Sequence, residues 1–154
     1  MDLFPAILPA IDAALDGDAP MPSADTLLAM AEEVVAAWLA ARGEAPDGET
    51  VEGFRLLALH RQGCKGPPSL NPCREPCREI VFRRNVVVLG ETGSAAARET
   101  RLMAMTVRHL ALFVGGKLAA AGLGDFCCSS RPLREAGAAC KEKHHADGPR
   151  MQPA

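Results

Sequence analysis

Along the first third of the chain, apolar residues recur at the three- and four-residue spacing that lines one face of an α-helix. Leu3, Phe4, Ile7, Leu8, Ile11 and Leu15 predict a first amphipathic helix over residues 3–15, with Pro5 in its first turn and a kink at Pro9. After a break rich in Pro, Gly and Asp at 17–22, Ser23 or Asp25 is placed to cap a second helix, which runs to about Arg42 before Gly43 stops it. Leu27, Leu28, Met30, Ala31, Val34, Val35, Trp38 and Leu39 form its apolar stripe, with Glu32 and Glu33 towards the outside. A third helix is predicted over 50–62, with Val51, Phe54, Leu57 and Ala58 on one face.

The run 63–72, with Gly63, Gly66, Pro67, Pro68 and Pro72, reads as the longest central loop. Asn71-Pro72 then has the form of a helix start, a cap followed by a proline at the first helical position. The β-branched clusters at 79–82 and 86–89 are compatible with a hairpin about Arg83, Arg84 and Asn85. A helix to about Val88 is preferred, because that turn lacks Gly and an isolated hairpin is marginal in water. Residues 95–121, capped by Ser94, give the longest and most apolar pattern and predict the central helix; Gly115-Gly116 within it suits a close helix approach or a kink. A short helix is predicted over 132–142, and from His144 onward the polar, Pro-containing stretch reads as a disordered tail. The expected fold is all-α: one domain over 1–143, a small bundle of four to five helices, followed by the tail at 144–154.

Composition supports this picture. The 154 residues are 48% apolar, with one Trp and no Tyr, so the apolar mass is Ala, Leu and Val, which suits closely packed helices. The formal net charge of −2 conceals an asymmetry. Residues 1–53 carry eleven acids and one Arg, whereas residues 54–109 carry ten basic and four acidic groups. An acidic first third folded on a basic middle would neutralise its field, and no basic-aromatic module accompanies the arginines, so nucleic acid is not an expected partner. The N-terminus lacks a basic region and has prolines at 5 and 9, unlike a signal peptide. The most apolar run, 110–116, falls well short of the roughly 20 residues that span a bilayer. A cytoplasmic, non-membrane protein is expected, with a protein partner or self-association.

In a reducing compartment six cysteines are expected to be free thiols, metal ligands or redox groups rather than a disulfide framework. Cys73 and Cys77, four apart, share a face of a helix or a side of a strand, and their spacing falls in the range found in zinc sites. One such pair supplies half of a tetrahedral site. Cys127 and Cys128, just past the central helix, are the predicted other half, with Cys140, His144 and Cys64 as weaker candidates for zinc or an iron–sulfur cluster. Arg74, Arg78 and a helix N-terminus beside the first pair are expected to lower its thiol pKa values. The competing reading is that the cysteines are small buried hydrophobes. His60 is expected to be a partly exposed, hydrogen-bonded helix residue and His109 a hydrogen-bonded core residue. No acid–base constellation, nucleophile elbow or phosphate loop is present, so the expected role is a sensing or accessory one, or a non-enzymatic adaptor, rather than catalysis.

Overall fold

The computed structural model describes residues 4–66, 68–90 and 92–121, together with two short strands at 125–126 and 132–134. It is an all-α fold. Among the described residues five α-helices follow in order: α1 (Leu8–Leu15), α2 (Ala24–Ala41), α3 (Arg55–Gly63), α4 (Arg74–Leu89) and α5 (Gly93–Ala121), with a 3-10 turn at Asn71–Cys73 leading into α4. Strands β1 (Asp125–Phe126) and β2 (Pro132–Arg134) pair antiparallel, so 132–134 is extended where the sequence predicted a helix. Pro132 suits an edge strand, since it gives up only a backbone donor that need not be paired.

Most boundaries have local causes. Ser23 caps α2, its hydroxyl accepting the N–H of Thr26 at 3.1 Å. Where the first helix was expected from residue 3, Phe4 instead forms a turn, its carbonyl accepting from Ile7 and Leu8, and the helix begins at Leu8. Pro9 then falls in the first helical turn, where its missing N–H costs nothing and no kink is needed. The third helix also starts later than expected. Val51 and Phe54 exchange backbone hydrogen bonds of 3.0 and 2.9 Å across a tight turn, with φ of 53° at Glu52 and 85° at Gly53. Positive φ at both central residues is the signature of a type I′ turn, which Gly53 favours and Glu52 tolerates at a cost. Ser94 lies inside α5, which begins at Gly93.

The choice of helix over hairpin for 79–89 is borne out: the whole stretch is α4. Helices α4 and α5 pack antiparallel, as Arg83 to Glu99 (2.6 Å) and Thr106 to Glu79 (2.7 Å) show by their opposed numbering. The core is contiguous: Leu27, Val34, Trp38 and Leu39 of α2 meet Met103, Val107, Leu110 and Val114 of α5, with Ile11, Leu56 and Ile80 from the other helices. Gly115 takes the close contact, since a β-carbon there would sit 3.3 Å from the Phe4 ring, while Gly116 faces open space. By length and composition α5 could cross a membrane, with a mean hydropathy of 1.2 over its apolar window, which corrects the expectation that no segment reaches that measure. Here its apolar face packs on α1, α2 and α4.

The charge asymmetry also has a structural counterpart. Four ion pairs, Arg55–Glu32, Arg78–Glu52, Arg84–Asp25 and Arg108–Asp12, join the basic middle to the acidic first third.

Candidate functional site

The chemistry-bearing residues of the middle of the chain gather where the C-terminus of α3 meets the start of α4. Their placement depends on the loop between those helices. Arg42 from α2 donates to the carbonyls of Gly63 (3.0 Å) and Lys65 (2.7 Å), closing the end of α3. The Ser69 hydroxyl donates to the Cys64 carbonyl at 3.0 Å and accepts from the Asn71 N–H at 3.1 Å. Leu70 folds back under α3, its N–H bonded to the Gly63 carbonyl at 3.0 Å and its side chain buried. Gly63 permits this approach, since a β-carbon there would lie 3.2 Å from Leu70 and 3.3 Å from Trp38. Asn71 makes no side-chain cap on α4, contrary to expectation; it opens the 3-10 turn, whose backbone bonds replace the cap.

Within this frame His60 is buried, only 8% exposed, and its Nε2 lies 3.0 Å from the Leu70 carbonyl. A carbonyl only accepts, so Nε2 carries the proton and Nδ1 keeps its lone pair. One helical turn on, the Cys64 Sγ sits 3.4 Å from Nε2 and 3.8 Å from Nδ1. Burial lowers the His60 pKa, the Leu70 carbonyl opposes it, and Arg74 and Arg78 lower it further. Burial raises the Cys64 pKa, with the Ser69 hydroxyl and Arg74 partly offsetting it. At neutral pH the pair is therefore a neutral imidazole beside a neutral, half-buried thiol. The i, i+4 spacing of His60 and Cys64 is visible in the sequence, but the burial of the ring beneath Leu70, against the sulfur, is not.

Cys73 and Cys77 converge on the buried face at the start of α4, as their spacing predicted, and both are sealed in the core. The expected lowering of their pKa values is reversed. Burial pushes Cys73 up to about 12, aided by the nearby Cys64, and pushes Cys77 up as well, aided by Cys73 and Cys64. Desolvation of the thiolate dominates, and the exposed Arg74 and Arg78 do not offset it. Two backbone donors at this end of α4 are engaged: the Cys73 N–H goes to Leu70 and the Arg74 N–H to Asn71.

Among the described residues no three His, Cys, Asp or Glu side chains come together as a metal-holding group. Cys127, Cys128, Cys140 and His144 lie outside the described residues.

Cys64 and His60 line a cavity of about 260 Å³, whose remaining wall is Val51, Leu57, Arg61, Asn71, Arg74 and Arg78. A second, shallower groove of about 540 Å³ runs between α4 and α5 past Glu75, Glu79, Arg83, Met105, Thr106 and His109. His109 is exposed there rather than in the core as expected, because it lies on the flank of α5 opposite Val107 and Leu110. No protein-family model, curated protein or solved structure matches the chain.

Proposed function

We propose that the chain is a cytoplasmic thiol-based sensing or accessory protein in which Cys64 is the responsive group. One observation carries this reading: the Cys64 sulfur lies 3.4 Å from the His60 ring on the wall of an open cavity, whereas Cys73 and Cys77 are sealed. A neutral thiol of raised pKa reacts slowly at rest, which suits a group that responds to an accumulated oxidant rather than one that turns over. With a hydroperoxide, the sulfur takes the terminal oxygen and becomes a sulfenic acid; the O–O bond breaks and the leaving oxygen departs as water or an alcohol. The His60 Nδ1 lone pair is the group beside the thiol able to take its proton and return it to the leaving oxygen.

The test is peptide-resolved alkylation of the folded protein before and after hydrogen peroxide. Cys64 should label well ahead of Cys73 and Cys77, lose that labelling first on oxidation, and react more slowly in His60→Gln. Equal labelling of the three, or no oxidation of Cys64, would sink the reading. Elemental analysis of the same preparation addresses the sulfur set that includes Cys127, Cys128 and Cys140. The adaptor reading is favoured by a different observation, the exposed Phe82 (63%) and Leu89 (77%) on α4. It predicts self-association in light scattering that Phe82→Glu abolishes.

A further inference from the structure

We propose that the cavity beside Cys64 is a binding site for a small oxyanion, a phosphate- or carboxylate-bearing group held by Arg61, Arg74 and Arg78. The inference shares the site with the thiol reading but does not depend on Cys64 reacting. Three guanidinium groups from two helices border one cavity, and no carboxylate is among its lining residues. Among the described residues only Arg78 of the three forms an ion pair, with Glu52 at 3.1 Å, and both of those side chains are largely exposed. The field of the arginines reaches the cavity floor, since Arg74 and Arg78 both disfavour a charged His60.

The arrangement also specifies how an anion is held. With the N–H groups of Asn71, Cys73 and Arg74 already engaged, binding is assigned to the guanidinium forks and the Asn71 side chain, which match the paired oxygens of a carboxylate or phosphate. A volume of about 260 Å³ admits such a group but is below the range of pockets that enclose drug-sized molecules. Glu52 acts as an internal competitor. The type I′ turn at Glu52 and Gly53 presents its carboxylate to Arg78, and an arriving anion must displace it or share the arginine.

The test uses the full chain, with inorganic phosphate and citrate as separate probes and sodium chloride at matched ionic strength as control. The readout is the His60 ring resonance followed across pH. Saturable binding should raise the apparent pKa of His60, because an anion cancels the arginine repulsion. Losing one charge-assisted contact in Arg74→Gln should weaken binding about tenfold, and Arg74→Lys should recover part of it. Glu52→Gln should tighten binding by freeing Arg78, a gain that general loosening of the fold does not produce. A response to phosphate alone assigns a phosphate site, to citrate alone a carboxylate site, and to both a general oxyanion site. Binding is read on the reduced protein before any oxidant is added, so saturable binding beside an unreactive Cys64 sinks the thiol reading alone, and a reactive Cys64 without binding sinks this proposal alone. A His60 response no larger than in chloride, or equal affinity in Arg74→Gln and Arg61→Gln, overturns the proposal.

Discussion

The two halves of α4 carry similar apolar side chains and meet opposite surroundings. In the first half, just after the buried Cys73, the side chains of Cys77, Ile80 and Val81 lie beneath α2, α3 and α5, with Cys77 and Ile80 at 0% exposure. In the second half Phe82 is 63% exposed, Val88 46% and Leu89 77%. Side-chain type therefore did not decide burial along this helix. What decided it was which neighbours were within reach: α3 ends at Gly63, beside the start of α4, so its cover falls on the first half. The first half holds Cys77 and carries the candidate site at its edge, while the second half is only partly covered, with Val87 packed against the core and Phe82, Val88 and Leu89 on the surface.

The largest expected effect breaks this comparison directly. Ile80→Ala should destabilise by roughly 2–5 kcal/mol, because it opens a cavity in a closed core, whereas Leu89→Ala should stay within about 0.5 kcal/mol. Chemical denaturation of the two variants measures the difference. Equal losses would mean that the second half is covered in solution, by self-association or by another part of the chain.

A smaller effect comes from the sealed thiols at alkaline pH. Their folded pKa values lie above the ordinary 9.0, so the unfolded chain releases protons that the folded chain keeps, and stability is present below pH 9 and lost as pH rises towards about 12. By pH 10 the loss should be on the order of 1 kcal/mol for each thiol. Cys77→Ala should remove its share of this slope, although it also lowers stability at neutral pH. A slope unchanged in the variant would show that Cys77 ionises as freely folded as unfolded, which its burial forbids.

How much of this was legible in the sequence varied with the kind of signal. Helices α2 and α5 are legible as sustained periodicity and Ser23 as a cap from its place before an apolar run, whereas α4 is legible only because a hairpin about Arg83 to Asn85 lacks a turn Gly. The Val51 to Phe54 turn was missed because Val51 and Phe54 also fit a helical stripe, and Glu is an unusual residue at positive φ. For Cys73 and Cys77 the local pattern predicted convergence correctly and the pKa wrongly: adjacent arginines are visible in sequence, but the desolvation that outweighs them depends on packing by α2 and α5. His60 and Cys64 needed the fold of residues 63–70, whose Leu70 carbonyl receives the imidazole. The proposed convergence of Cys73 and Cys77 with Cys127 and Cys128 lies outside the described residues. The register of α4 on α5 bears on it, however: Glu79 faces Thr106, so α5 runs roughly ten residues, about 15 Å, beyond the start of α4.

The smallest expected effect sharpens the comparison on the acid side, at the edge of the covered half. His60 shares its cavity with Arg61 of its own helix, with Cys64 just past that helix and with Arg74 and Arg78 of α4, and burial together with Arg74 and Arg78 lowers its pKa. A group whose folded pKa lies below its unfolded value of 6.5 resists a proton that the unfolded chain accepts, so its contribution is fully present above pH 6.5 and is lost as pH falls through that value. Carboxylates also titrate on this side, so the stability difference between pH 7 and pH 5.5 is to be compared with that of His60→Gln, in which their share cancels. The parent should lose more stability over this interval than the variant. Saturating phosphate should reduce that excess if the anion site exists, because a bound anion makes the imidazolium easier to form. Identical pH dependence in parent and variant would mean that His60 protonates freely in the fold, by swinging out from beneath Leu70 towards solvent. The neutral thiol–imidazole pair on which the thiol reading rests would then be lost below neutral pH.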